Sequence, residues 1–145
     1  MYTCKHFKLY ELVDKYTYEK YGQDAWMFFN PNALRMIDGV WEYVDTVLKP
    51  RKTVIIINNW KWGGRLQERG LRPIYMTTGA KYSQHRFGNG FDCTVKDISS
   101  EDMRKEILNN KDHELLQYIN CIEADVPQLH LDGRNIPDRI RIVHP

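Results

Sequence analysis

Two histidines and a carboxylate, His85, Asp92 and His130, are the residue types in this chain best suited to act as one chemical set. His85 and Asp92 lie in Ser83-Gln84-His85-Arg86-Phe87-Gly88-Asn89-Gly90-Phe91-Asp92, joined through two glycines, and His130 follows far downstream in Leu129-His130-Leu131-Asp132. Two imidazoles and one carboxylate suit Zn2+, and three protein ligands leave a fourth position for water, the arrangement of a catalytic zinc. The absence of cysteine from the set argues against a structural finger. An ion held in this way lowers the pKa of its water to about 7 and polarises a carbonyl, so the chemistry expected is metal-assisted hydrolysis.

The elements around these residues are those needed to bring them together. Leu129-His130-Leu131-Asp132 alternates, which puts His130 and Asp132 on one face of a strand and the leucines on the other. Phe91-Asp92-Cys93 does the same for Asp92. Asp132 is placed by this period to orient a ligand, and Gly88 and Gly90 permit the tight turn that returns His85 towards Asp92. Upstream, residues 6–21 carry apolar groups at helical spacing and stop at Gly22. Asn30, Pro31 and the Phe29/Leu34 pair mark a second helix start, whose stripe of Leu34, Ile37, Trp41, Val44 and Leu48 ends before Pro50. Thr53–Ile57 reads as a buried strand. Ser99 or Ser100 starts a helix with Met103 and Ile107 inside, and Leu115, Leu116 and Ile119 suggest another. Strands follow at Cys121–Ala124, Gln128–Leu131 and Arg139–Val143. Helices first and strands later predict an α+β domain with a mainly antiparallel sheet that carries the zinc site.

Composition bounds the rest. The 145 residues suit one domain, with a helical portion over about 1–50 and the site-bearing core over about 51–145. A hydrophobic fraction of 42%, a charged fraction of 28% and a formal charge of +2 are ordinary globular values. They give no ground for a nucleic-acid or membrane partner. The short run Arg65, Arg69, Arg72 and Lys81 is the one cluster that nucleic-acid binding would use. No apolar leader core follows Met1, and no stretch is long enough to span a bilayer. The expected location is therefore cytoplasmic at synthesis, with carriage in a phage virion or release to the cell wall as the routes outward. Cys4, Cys93 and Cys121 lack metal-type spacing and read as reduced thiols.

Residues 83–92 resemble the S-x-H-x-x-G-x-A-x-D signature of the zinc D-Ala-D-Ala carboxypeptidase family, whose superfamily includes vancomycin-resistance dipeptidases, phage endolysins and the Hedgehog signalling domain. His130 matches the final zinc histidine of that family, and Arg72 in Arg69-Gly70-Leu71-Arg72 is similar in placement to its substrate-holding arginine. The core from about residue 30 to 134 resembles the short phage and prophage members. The resemblance implies a zinc metallopeptidase acting on peptidoglycan stem or cross-link peptides, with Arg72 pairing a substrate carboxylate or the oxyanion. Two departures stand out. Gly90 replaces the preferred alanine, and Pro127 occupies the slot where many members place a general-base glutamate. Glu123 and Asp125 are the nearest upstream carboxylates, and Glu123 is the expected base, as in members that carry it further upstream.

Each residue also has an ordinary role to set against these. Acidic residues beside a strand are usually solvated, a loop arginine is usually a surface group, and Ser83 can shape its turn as readily as touch substrate. Trp60 and Trp62 suit aromatic packing better than a cleft. His6, His113 and His144 have no partner by spacing, and Lys81 is a weak candidate for substrate charge. Besides the peptidase, the sequence admits a noncatalytic zinc-stabilised module that binds cell wall or forms part of a phage particle.

Overall fold

The computed structural model of the protein describes residues 1–145 as an α+β domain. Its helices are α1 (Leu9–Leu12), α2 (Lys15–Tyr21), α3 (Pro31–Tyr43) and α4 (Ser100–Asn109). Its strands are β1 (Ile55–Ile56), β2 (Gly90–Val95), β3 (Cys121–Glu123), β4 (Leu129–Asp132) and β5 (Arg141–Val143). The sheet runs β1-β2-β4-β3-β5, antiparallel except where β5 lies parallel to β3. β4 already has β2 and β3 on its two sides, so the last strand takes the free edge of β3 and the sheet becomes mixed.

The clearest sequence signals become clear elements. The Asn30 side chain accepts from Asn32 N at 2.9 Å, and Pro31 opens α3. Ser99 caps α4 by accepting from Asp102 N at 3.0 Å. Leu34, Ile37 and Val40 of α3 and Met103 and Ile107 of α4 enter one core with Phe91, Leu129 and Leu131 from the sheet. Phe29 stacks on Phe91 at 5.9 Å, tying the start of α3 to β2.

Other expectations are corrected. The helix expected over 6–21 is two, because Val13 is extended and Asp14, buried, caps a new helix by accepting from Thr17 N. A residue that caps a new start leaves the helical backbone conformation. The α3 stripe continues past Tyr43 as a π-helical turn, Val44–Leu48, before Lys49 turns left-handed. Only Ile55–Ile56 of the expected strand is paired, since the chain then bends to let Asn58 N reach Glu11 O and its carboxamide reach Val13 O. Leu115 and Leu116 lie in a single 3-10 turn, Glu114–Leu116, rather than a longer helix. The other three strands are within one or two residues of their expected bounds. No helix is long and apolar enough to cross a membrane.

Candidate metal centre

β2 and β4 place the two ends of the motif together by register. Asp92 stands directly opposite His130 and Gly90 opposite Asp132. Alternation sends Phe91, Cys93, Leu129 and Leu131 into the core and turns Asp92 and His130 to the other face. His85 arrives from the 3-10 turn Gln84–Phe87, which ends on Gly88 at φ +63. A Cβ at Gly88 would meet Phe28 O at 2.2 Å, so the turn needs glycine both for its conformation and for that close approach.

A loop that passes beneath the centre holds the three donors in place. Arg69 O accepts from Asp92 N at 2.7 Å, Gly70 O accepts from His85 Nδ1 at 2.8 Å, and Arg72 N donates to His85 O at 3.1 Å. Gly70 sits so close to α1 that a Cβ would lie 2.0 Å from Leu12 O. The Arg72 guanidinium completes the brace, donating from Nη2 to Asp92 Oδ2 at 3.0 Å and from Nε to Glu68 O at 2.7 Å.

The donor atoms converge. His130 Nδ1 is 2.7 Å from Asp92 Oδ1 and 3.2 Å from His85 Nε2, and His85 Nε2 is 3.3 Å from Asp92 Oδ1. All three residues are buried. Their outer hydrogen bonds fix which atoms face inward. Gly70 O can only accept, so His85 carries its proton on Nδ1 and turns the Nε2 lone pair to the centre. Asp132 Oδ2 lies 3.2 Å from His130 Nε2 and accepts from it, which turns Nδ1 inward. Arg134 in turn grips Asp132, with Nε at 2.8 Å from Oδ1 and Nη2 at 2.6 Å from Oδ2. Two imidazole nitrogens and a carboxylate are aimed at one point, and the His85–Asp92–His130 group has the donors to hold a metal ion.

The electrostatics without an ion agree. Burial pulls the His130 imidazole down, but its bonds to Asp132 and Asp92 outweigh that and set it at about 9, so a proton stands in for the cation. Burial pushes Asp92 up, and the two histidines outweigh it, holding the carboxyl well below its ordinary value. Asp132 is likewise lowered: burial opposes, and Arg134 with His130 prevails.

The centre opens on a cleft of about 410 Å3 whose walls include Arg72, Ser83, Glu123 and Arg134. Glu123, at the end of β3, brings Oε2 to 4.0 Å from His130 Nδ1. Asp125 goes elsewhere, exposed and paired with His144. Ser83 precedes the His85 turn without capping it, so its hydroxyl is left to the cleft. Lys81 lies outside the cleft, with its ammonium 5.3 Å from the Tyr82 ring. The remaining residues have structural partners. His6 stacks on Trp41, His113 accepts from Leu115 N, and Trp60 Nε1 donates to Val13 O. Trp62 is largely exposed, edge-on to Tyr10. Arg69 bonds Thr94 and Arg72 bonds Asp92, which breaks up the basic run. All three cysteines are free thiols. Sequence reasoning missed Arg134, although its place two residues after Asp132 offered the signal, and it missed the Gly70 carbonyl, which no side-chain pattern encodes.

The site and fold together define an α+β protein with a buried two-histidine, one-carboxylate group that could hold a metal ion at the foot of an open cleft. Compared with known proteins, the chain matches no family model, no curated protein and no solved structure.

Proposed function

We propose that the protein is a zinc metallopeptidase that hydrolyses an amide bond in peptidoglycan stem or cross-link peptides, in the manner of the D-Ala-D-Ala carboxypeptidases and endolysins its motif resembles. The observation that carries this reading is Glu123, a cleft-facing carboxylate that reaches within 4.0 Å of a ligand nitrogen. The donor set is compatible with zinc. Tetrahedral ligands at about 2.0–2.1 Å stand roughly 3.3 Å apart, and two of the three donor separations here are 3.2 and 3.3 Å. The third, at 2.7 Å, is a hydrogen-bond length that would have to widen for an ion to take the place of the His130 proton.

When bound, zinc supplies an activated water and polarises the scissile carbonyl. The chain supplies the rest. Glu123 is the group that takes the proton from water and returns it to the leaving amine. Arg72 holds Asp92 with one nitrogen and Glu68 O with another, and its Nη1, with no partner in the protein, is the donor for a substrate carboxylate or the developing oxyanion. The Ser83 hydroxyl adds a neutral donor on the same wall.

The test is mass spectrometry of defined peptidoglycan peptides incubated with zinc-loaded protein, with and without chelator. A chelator-sensitive product is expected, and its mass identifies the bond cut. Intact substrates across the panel from a protein that keeps its zinc would contradict hydrolysis and leave the noncatalytic cell-wall-binding or phage structural module.

A further inference from the structure

Arg104 is a cation in an unusual place. It projects from α4, between core residues Met103 and Ile107, and is only 7% exposed. No buried carboxylate accompanies it; its one acidic partner, Glu101, is exposed and 3.4 Å away. Its other donors go to carbonyls at both ends of one short segment. Nε donates to Glu123 O at 2.9 Å, and Nη2 to Val126 O at 2.5 Å and Gln128 O at 2.6 Å. Burying a guanidinium is costly unless its hydrogen bonds are met, and here they are met by a single turn.

That turn has little else to hold it on this side. The β3–β4 ladder stops at Ile122–Leu131, one residue short of Glu123, which is held laterally only through β5, opposite Val143. Asp125 is left-handed, at φ +60, and Pro127 has no N–H to contribute. Ile122 points into the core and Glu123, by alternation, to the cleft, so a clamp on the Glu123 carbonyl from the core side fixes the direction of its carboxylate.

We infer that Arg104 is the positioning residue for Glu123, a planar clamp that replaces the missing ladder and holds the carboxylate over the metal centre. The inference rests on the peptidase reading, in which Glu123 handles the proton. Arg104 does not line the cleft and is not among the three metal-type donors. Its planar fork matters, because a lysine ammonium lacks the fixed geometry that reaches three carbonyls at once.

The test uses full-length, cobalt-loaded protein and follows its visible absorption against pH for wild type, E123Q, R104Q and R104K. Glu123 beside the ion affects the pH at which the spectrum changes, so E123Q shifts the midpoint. R104Q is expected to shift it in the same direction by about half a pH unit or more, and R104K by less. Cobalt affinity should change by less than the roughly tenfold that follows loss of a ligand's own hydrogen-bond partner. The double variant E123Q/R104Q should match E123Q alone, because the clamp then has nothing to position. Hydrogen exchange at residues 124–128 should quicken in R104K while β4 keeps its protection, a readout available even if R104Q fails to fold. A wild-type midpoint in folded R104Q, additive shifts in the double variant, or unchanged exchange in R104K would overturn the inference and leave the peptidase reading standing. An unmoved midpoint in E123Q, or no cobalt uptake by the wild type, would remove both.

Discussion

His130 answers to two carboxylates at once, and that sets its chemistry. Asp132 accepts a hydrogen bond from its Nε2–H and Asp92 meets its Nδ1, so the ion-free imidazole keeps a second proton up to a pKa of about 9. A histidine raised from its ordinary 6.5 stabilises the fold fully below that value and loses the contribution as pH climbs through 9. Asp92, depressed, contributes above the ordinary carboxylate value of 3.8 and loses its contribution as pH falls below it. Ion-free protein should therefore be most stable between about pH 4 and 6.5 and lose on the order of 3 kcal/mol by pH 10, measured by urea unfolding across pH. With zinc bound the alkaline loss should disappear, because the ion takes the Nδ1 lone pair that the proton held. At Glu123 the expectation is different in kind. Glu123→Gln should keep zinc and lower kcat by about 10²–10⁴-fold with little change in KM, read from peptide turnover. Loss of the metal instead would give Glu123 a structural role.

At the scale of elements, the centre depends on how β2, β4 and the His85 turn meet. The alternation of Leu129-His130-Leu131-Asp132 and the glycines around Asn89 made the three donors legible in the sequence, because strand period and turn chemistry are local properties. The β3 and β4 strands were legible for the same reason, and so was the α3 cap. Of the loop Arg69–Arg72 only the Arg72 side chain was legible, since the Arg69 and Gly70 carbonyls serve the centre as backbone groups, whose partners side-chain patterns do not reveal. Arg104 was hidden too: on α4 it looks like any helix arginine until the β3–β4 turn folds onto it. The break at Asp14 escaped because a buried cap inside an apolar period reads as part of one helix. Gly88 offers a direct test at this scale. With its positive φ and Phe28 O where a side chain would go, Gly88→Ala should destabilise by about 1–3 kcal/mol and weaken metal binding as His85 shifts, checked by denaturant unfolding and chelator competition.

For the whole molecule, helices and sheet share one core while the opposite face of β2 and β4 gathers the charged groups. These groups are desolvated and pair with one another, and an ion bound among the three donors would add its binding free energy to the fold's stability. At a hundredfold excess over Kd, zinc should add about 2.7 kcal/mol, which for a domain of this size raises Tm by roughly 5–11 °C in a calorimetric scan. The most direct test of the account is zinc content per chain after dialysis against limiting metal, for wild type and His130→Ala side by side. One zinc per wild-type chain and none in the variant, with the sheet intact by circular dichroism, is the predicted result. A wild-type chain that retains no zinc, or a variant that retains as much, would contradict it.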